Sequence, residues 1–182
     1  LGTTGARMGV GDAIYAEFAD YNIPRAAWPD LIATLCDTGD WEAVDRAALP
    51  PPASALKADQ AEIDALFGGE AIRDILNLLR VSDSRVAARA MGLLAKNSPL
   101  SVACTVELVH RVRLRDTIEV ALEQEYRFTY RAMEKGDFLE GIRAAIIDKD
   151  KSPKWRHASP EAVTAPDMAG MLLPLGQDTL KL

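Results

Sequence analysis

Hydrophobic residues recur at helical intervals along most of this chain. Apolar side chains that are three and four positions apart lie on one face of an α-helix, which can then pack against a core. Residues 72–79 follow this spacing without interruption, with isoleucine or leucine at each expected position. Further helices are predicted by the same spacing in the stretches 10–21, 31–36, 86–94, 102–112, 118–133 and 138–146. The chain is therefore predicted to be mainly α, with at most a short strand near residues 21–24.

Residues typical of helix ends support this assignment. Ser98 precedes Pro99, which is the usual order of an N-cap hydroxyl and a first-turn proline. Asp59 and Glu62 have the spacing of a capping box, which predicts that a helix begins near them. Gly136 is expected to end the helix that contains residues 118–133.

Three consecutive prolines divide the chain. Proline fixes φ and removes a backbone donor, so the segment 49–56 is predicted to be a stiff, non-helical connector. It separates residues 1–48 from a larger helical region, residues 57–156, and residues 157–182 are predicted to form a terminal helix and tail. Separately, Pro24 confines the extended residues 21–24 to an edge or an end of a sheet, because proline cannot donate to a strand ladder.

Composition and charge narrow the classes of function. The 182 residues carry 21 Lys and Arg against 27 Asp and Glu, a net charge of −6, which argues against nucleic-acid binding. No run of 18 apolar residues is present, so no membrane-spanning helix is predicted. Two cysteines are too few for a disulfide-stapled scaffold. A reducing compartment is therefore expected, the cytoplasm or, in a eukaryote, the mitochondrial matrix.

The residue types that usually carry catalysis or bind metals form no recognisable constellation. His110 and His157 are far apart in sequence and have no metal-ligand spacing, so no metal site is predicted, and both are expected at the surface. Cys36 and Cys104 lie in apolar helices, where a cysteine usually acts as a small buried hydrophobe. No catalytic residue follows from these patterns.

A basic cluster follows the helix of residues 138–146. Basic residues in the last turn of a helix and just beyond it complement the helix dipole, and this is one interpretation. The other is a binding site for a polyanion such as a nucleotide phosphate, although Asp148 and Asp150 would offset part of the charge. The basic residues concerned are Lys149, Lys151, Lys154, Arg156 and His157.

Four segments together resemble the crotonase (enoyl-CoA hydratase/isomerase) superfamily. Residues 138–155 contain an E-G pair followed by I-D-K-D-K-S-P-K-W, which is similar to the narrower signature of 3-hydroxyisobutyryl-CoA hydrolases. The first seven residues resemble the L-T-G-x-R turn of the superfamily. Lys96–Ser101 and the E-Y-R of residues 125–127 are similar to family segments in the expected order. The resemblance implies a mainly helical C-terminal part of a crotonase-type α/β fold.

The resemblance also implies which functional elements lie outside these residues. In the family, the catalytic acid and both oxyanion-hole segments precede the L-T-G-x-R turn, with which this sequence begins. The chain is thus expected to be a C-terminal fragment that is inactive alone and needs an N-terminal half or another subunit. Lys149 is the closest match to a family lysine that approaches the phosphates of coenzyme A. The aromatic residue of the family's A-F pair is Ala145 here.

Three functions are compatible with the sequence. The first is the hydrolysis of 3-hydroxyisobutyryl-CoA in valine catabolism, with coenzyme A as part of the substrate and no further cofactor. The second is the chemistry of an enoyl-CoA hydratase or isomerase in the same superfamily. The third is a non-catalytic helical module that binds a partner. A helical layer that normally covers a core should expose an apolar face, so an oligomer or a bound partner is expected.

Overall fold

The computed structural model describes residues 1–115 and 117–181. Asp116 and Leu182 lie outside the described residues. The spacing of Asp116 and Glu123 predicts a solvated acidic helix face, and Asp116 of this pair is one of the two residues not described. The α-helices are α1 Val10–Tyr15, α2 Trp28–Thr38, α3 Glu42–Ala47, α4 Ala55–Phe67, α5 Ile72–Val81, α6 Arg85–Leu94, α7 Pro99–Val112, α8 Ile118–Ala132, α9 Phe138–Ile142 and α10 Ala165–Leu172. The mainly α prediction is confirmed. In the described part of the chain, no helix is long and apolar enough to cross a membrane.

The chain divides into two compact units. The larger contains Leu1–Ala6 and Asp64–Leu182, and the smaller contains Arg7–Ile63. In the larger unit, helix α7 contacts α5, α8 and α10. The main core forms between α5, α6 and α7, where the apolar face predicted for residues 72–79 is buried against Ala90 and Val102. A second cluster joins Leu100 and Cys104 of α7 to Met171 and Leu172 of α10.

The smaller unit is organised around Asp12. One carboxylate oxygen of Asp12 accepts hydrogen bonds from Ser54 Oγ at 2.8 Å and from the Leu56 N–H at 2.9 Å. These bonds tie α1 to the start of α4 and lower the pKa of Asp12, chiefly through the Leu56 N–H. Gly11 allows the close approach, because a Cβ there would lie 2.3 Å from the Pro52 carbonyl oxygen.

The short strand predicted near residues 21–24 is present as a single antiparallel bridge between Asn22 and Leu49. The Leu49 N–H donates to the Asn22 carbonyl at 2.9 Å, and Asn22 Nδ2 donates to the Pro50 carbonyl at 3.0 Å. The proline segment therefore pairs with the extended residues 21–24 where it leaves α3. This pairing, together with the backbone donors that prolines lack, explains why the segment is not helical.

Several predicted helix limits are wrong. The helix predicted over 10–21 ends at Tyr15, and Glu17 then has a left-handed φ of 60°. Asp59 and Glu62 do not cap a helix start, because α4 begins earlier, at Ala55, where the Lys57 N–H donates to Ser54 Oγ. The Ser98 cap is confirmed, since its hydroxyl oxygen accepts from the Ser101 N–H at 3.2 Å.

Candidate binding cleft

The segment after α9 changes helix type before it turns back. Residues 143–147 form a π-helical turn, in which the Asp148 N–H donates to the Arg143 carbonyl at 2.8 Å. This i to i+5 hydrogen bond makes the turn wider than an α-helical one, and such turns are frequent at functional sites. The Lys151 N–H then donates to the Ala144 carbonyl at 3.1 Å, which folds the loop back onto the helix.

Arg143 is the centre of this loop. Its guanidinium donates to both oxygens of Glu140, with N···O distances of 2.9 and 2.7 Å. It also donates to Asp148 and Asp150, at 2.7 Å each. Five donors in a rigid plane allow an arginine to bind several oxygens in this way, which a lysine cannot do. The aspartates that were predicted to offset the neighbouring lysines are thus directed toward Arg143.

The electrostatics of the loop follow from these contacts. The Arg143 hydrogen bonds, together with the Lys154 N–H, lower the pKa of Glu140 to about 2. The same guanidinium lowers the pKa of Asp150, while the three carboxylates raise the pKa of Arg143. Glu140 and Asp150 therefore stay ionised at neutral pH beside the charged Arg143 guanidinium. The wrapping of the loop places Lys149 and Lys151 in left-handed backbone conformations, with φ of 55° and 53°.

A cleft of about 500 Å³ opens beside this loop in the larger unit. One wall is the loop itself, from Gly141 and Ala145 to Lys151 and Trp155. The turn between α6 and α7, starting at Lys96, also lines it. Gly2, Thr3 and Gly5 of the N-terminal turn complete the lining.

The N-terminal turn is held in place by specific contacts. Asn97 Nδ2 donates to the Thr3 carbonyl at 2.9 Å, and the Gly5 N–H donates to the Leu1 carbonyl at 2.9 Å. Gly5 has a φ of 59°, which favours glycine. Gly2 lies against α7 so closely that a Cβ would be 2.8 Å from Thr105 Cγ2. The L-G-T-T-G sequence is thus suited to this docked turn.

The cleft combines positive charge with an aromatic surface. Lys96 and Lys151 both line it, and the described lining residues include no Asp or Glu. Neither lysine forms an ion pair with a described residue within 4 Å, as the ion pairs of this loop involve Arg143 instead. The Trp155 ring lies close to Gly141 of α9. A Cβ built on Gly141 would be 3.6 Å from Trp155 Cη2. Such a cleft can hold an anionic molecule that has a flat, apolar part.

The cleft offers no activated nucleophile among its described residues. Ser98 Oγ donates to the buried carboxylate of Asp137 at 2.6 Å, so its hydroxyl is engaged in a structural bond. Cys104 is fully buried, and this burial raises the pKa of its thiol to about 12. A thiol in this state does not act as a nucleophile at neutral pH.

The structure agrees with the predicted positions of only some of the residues considered in the sequence. Lys149 is exposed and lies two residues from Lys151, but it is not among the residues that line the cleft. Cys36 is exposed, so its predicted burial is wrong, whereas the predicted burial of Cys104 is confirmed. His157 is not a surface residue as predicted, because its ring is largely buried and its Nε2 lies 3.3 Å from Asp167 Oδ2.

Sequence reasoning did not single out Lys96 and Trp155, although both occur in the segments compared with the family. Lys96 directly precedes the Ser98–Pro99 helix start, and Trp155 ends the C-terminal signature. Their presence in one cleft depends on tertiary packing, which sequence spacing does not reveal.

The sequence agrees with one family over most of its length. The sequence model described as enoyl-CoA hydratase/isomerase matches residues 1–172. The mitochondrial 3-hydroxyisobutyryl-CoA hydrolase of Mus musculus is 35% identical over 120 residues, which cover 66% of this chain and 31% of the mouse protein. The Homo sapiens protein of the same name is 32% identical over 126 residues, covering 69% of this chain and 32% of the human protein.

Two solved structures are similar to the whole chain. One is an enoyl-CoA hydratase from Rhodobacter sphaeroides, with 50% identity and a TM-score of 0.89, covering 100% of this chain and 52% of that one. The other is a carnitinyl-CoA dehydratase from Mycobacterium thermoresistibile, with 32% identity and a TM-score of 0.88, covering 98% and 51%. The chain thus spans about a third of the length of these curated relatives and about half that of the solved structures.

Proposed function

Because the chain belongs to the enoyl-CoA hydratase/isomerase family, we propose that its cleft binds the coenzyme A part of an acyl-CoA thioester. The observation that carries this proposal is that Lys96 and Lys151 both line a cleft whose described lining has no carboxylate. Coenzyme A carries several phosphate charges and an adenine ring. The two lysines and the ring of Trp155 offer complementary chemistry to these groups.

Each residue has a distinct role in this proposal. A lysine ammonium is a compact point charge that binds phosphate without strict geometry, so Lys96 and Lys151 hold phosphate oxygens. The Trp155 ring offers a flat face to the adenine, which is the type of contact that aromatic side chains make with nucleic-acid bases. Ala145, at the family's aromatic position, lines the same cleft as Trp155. Trp155 therefore takes over the aromatic contact from a different point of the loop.

Lys149 stays part of the proposal as an outer residue. It is exposed, and its left-handed backbone projects from the same loop as Lys151. We propose that Lys149 adds long-range attraction for phosphate at the rim of the cleft. Its contribution should then be smaller than that of Lys151 and should decrease more steeply with salt, because exposed charges are strongly screened.

Titration of the purified chain with coenzyme A tests these roles. Lys96→Gln and Lys151→Gln should each weaken binding about three- to tenfold, and Trp155→Ala about tenfold, as expected for lost phosphate and stacking contacts. Lys154→Gln is the matched control, since Lys154 lies in the same loop and outside the cleft lining. Equal affinities for the wild type, Lys96→Gln and Lys151→Gln would contradict the proposal.

For the reaction, we propose hydrolysis of a 3-hydroxyisobutyryl-CoA-like thioester. The support is the I-D-K-D-K-S-P-K-W signature and the 32–35% identity to proteins named as 3-hydroxyisobutyryl-CoA hydrolases. The second candidate is hydration of an enoyl-CoA, favoured by the 50% identity to the Rhodobacter sphaeroides enoyl-CoA hydratase. With the enzyme assembled in active form, release of the free coenzyme A thiol identifies the first reaction. Loss of the conjugated double bond identifies the second.

We also propose that this chain needs a further polypeptide segment or subunit for catalysis. The described lining of the cleft contains no Asp, Glu, His or Cys that could serve as a general base or a thiol nucleophile, and this supports the proposal that such groups come from elsewhere. The 182 residues alone should therefore bind coenzyme A without cleaving acyl-CoA. Thioester cleavage by the purified chain that is abolished by a substitution within it would contradict this proposal.

A further inference from the structure

A second pocket of about 380 Å³ lies in the larger unit and shares no lining residue with the cleft. Lys135, which follows α8, forms part of its wall together with Arg156 and His157. The first turns of α10 complete the wall and contribute Asp167. Three basic side chains thus surround one small pocket, although the protein as a whole is acidic.

The position of Arg156 is set by its backbone and its side chain. Its N–H donates to Oδ1 of the buried Asp137 at 3.0 Å, and its guanidinium donates to the carbonyl of Lys135. Because Asp137 also accepts from Ser98, the residue that caps α7, Arg156 is anchored to a rigid helix start. The guanidinium keeps further N–H donors for a ligand, since one carbonyl occupies only part of its capacity.

The carboxylate of Asp167 is already occupied by other donors. Its Oδ2 accepts from the Thr164 N–H at 2.9 Å and from Thr164 Oγ at 2.5 Å, and it lies 3.3 Å from His157 Nε2. These contacts cap α10 and orient the imidazole. Asp167 therefore fixes His157 in the pocket wall and leaves Lys135 and Arg156 available to an external anion.

His157 has a buried nitrogen without a partner. While Nε2 faces Asp167, the buried Nδ1 has no hydrogen-bond partner among the residues described. With the Nε2 proton directed to the Asp167 carboxylate, Nδ1 of the neutral ring is an acceptor, so only a donor such as a bound water could pair with it. The anion-binding groups of the pocket are therefore Lys135 and Arg156 rather than His157.

The floor of the pocket is apolar. The buried side chains of Leu100 and Met171 line it, and both belong to the cluster between α7 and α10. Gly170 also lines it, and a Cβ built on Gly170 would meet no atom within 4 Å. The floor therefore has open space next to hydrocarbon side chains, which a purely ionic ligand such as phosphate would leave unfilled.

We propose that this pocket binds a small organic anion, a carboxylate attached to a short apolar body. The carboxylate oxygens pair with Lys135 and Arg156 at the wall, and the hydrocarbon lies on Leu100 and Met171. The volume is within the range of small-molecule sites. The proposal does not depend on coenzyme A binding in the cleft, because the pocket shares none of its residues.

The test uses the ¹⁵N-labelled full chain and the backbone amide signals near the pocket. Hexanoate should cause saturable shifts at Arg156, His157 and Gly170, whereas hexanol, which lacks the charge, should cause much weaker ones. Arg156→Gln should weaken hexanoate binding about tenfold, which corresponds to one charge-assisted contact. Gly170→Leu should abolish the saturable shifts, because its side chain fills the open floor.

Matched variants separate lost binding from lost folding. Gly92→Leu is the control for Gly170→Leu, because Gly92 is also helical and its Cβ would likewise meet no atom within 4 Å. Both variants replace a glycine by a better helix former, so thermal melts should show both folded. The proposal is overturned if hexanoate gives no saturable shift in the wild type, or if Gly170→Leu binds hexanoate like Gly92→Leu. Phosphate shifts as strong as those of hexanoate would also overturn it, since they would show that the apolar floor is not used.

Discussion

Arg143 and Glu140 form a bidentate ion pair, with N···O distances of 2.9 and 2.7 Å, at the point where α9 becomes a π-helical turn. Glu140 Oε1 also accepts the Lys154 N–H at 2.6 Å. The pair therefore links the start of the helix to the residue that precedes Trp155. The position of the aromatic wall of the cleft depends on this link.

We expect Arg143→Lys to weaken coenzyme A binding about three- to tenfold, although Arg143 does not line the cleft. A lysine keeps the charge but cannot bind Glu140, Asp148 and Asp150 together, so the loop that carries Lys151 and Trp155 loses its anchor. Titration with coenzyme A measures the effect. Arg89→Lys, at an exposed position in α6, should have no effect. Unchanged affinity in Arg143→Lys would show that the loop is held by other contacts.

The depressed pKa of Glu140 predicts a defined acid sensitivity. Its pKa falls from 4.5 to about 2 on folding, because Arg143 and the Lys154 N–H bind the ionised form. A lowered folded-state pKa stabilises the protein above the unfolded pKa, and this stabilisation is lost as the pH falls from about 4.5 to about 2. Thermal melts across this range should fall more steeply for the wild type than for Glu140→Gln. Parallel curves for the two proteins would contradict this assignment.

Hydrophobic periodicity and cap residues predict those features of the fold that depend on local spacing. The apolar stripe of residues 72–79 predicted a buried helix face correctly, because its burial follows directly from spacing. The Ser98–Pro99 start was equally predictable, since an N-cap is a local interaction. The spacing of Asp59 and Glu62 predicted a helix start wrongly, because the start of α4 depends on a residue that is distant in the sequence. The true start of α4 depends on Asp12, which is 42 residues before Ser54 in the sequence.

The candidate site was less predictable than the helices. The basic cluster around Lys149 and Lys151 was visible in the sequence, but the direction of the neighbouring carboxylates was not. That direction is decided by Arg143, which the sequence places in a regular helix and the structure places in a π-helical turn. Lys96 and Lys151 line the same cleft although they lie 55 positions apart in the sequence, and this depends on tertiary packing.

The two cysteines should differ sharply in reactivity. Cys36 is exposed, whereas Cys104 is fully buried and has a thiol pKa of about 12. Because the thiolate is the reactive form, iodoacetamide at pH 8 should label Cys36 alone in the native chain. Peptide mass spectrometry identifies the labelled residue, and labelling in denaturant should modify both. Native labelling of Cys104 at a comparable rate would show that α7 and α10 separate easily.

Arg131 should stabilise the end of α10. Its guanidinium donates to the carbonyls of Met171 at 3.0 Å, Leu173 at 2.7 Å and Pro174 at 3.3 Å. Met171 is in the last turn of α10, and Leu173 and Pro174 follow the helix, so these charge-assisted bonds satisfy carbonyls at and just beyond the helix end. Arg131→Gln should lower the free energy of unfolding by about 1–3 kcal/mol, as measured by urea denaturation. Arg89→Gln is the exposed control and should change it by less than about 0.5 kcal/mol.

The smaller unit, residues 7–63, exposes large apolar side chains that predict association. Phe18 is 70% exposed, Trp41 69% and Ile32 56%, and helix α2 has no buried residue. Large apolar side chains exposed in such number within one unit favour association with a partner or aggregation. The purified chain should therefore bind an apolar fluorescent dye and scatter light as a species larger than a monomer.

Substitution within this surface should reverse both signals. The triple variant Phe18→Ser, Ile32→Ser and Trp41→Ser should lower dye fluorescence several-fold and shift the light scattering toward the monomer mass, because burial of apolar area drives association. Leu114→Ser is the control, since Leu114 is 90% exposed but lies outside this unit. Circular dichroism checks that the triple variant is folded, since its helical content should equal that of the wild type. A wild-type chain that is monomeric and does not bind the dye would show that this surface needs no partner.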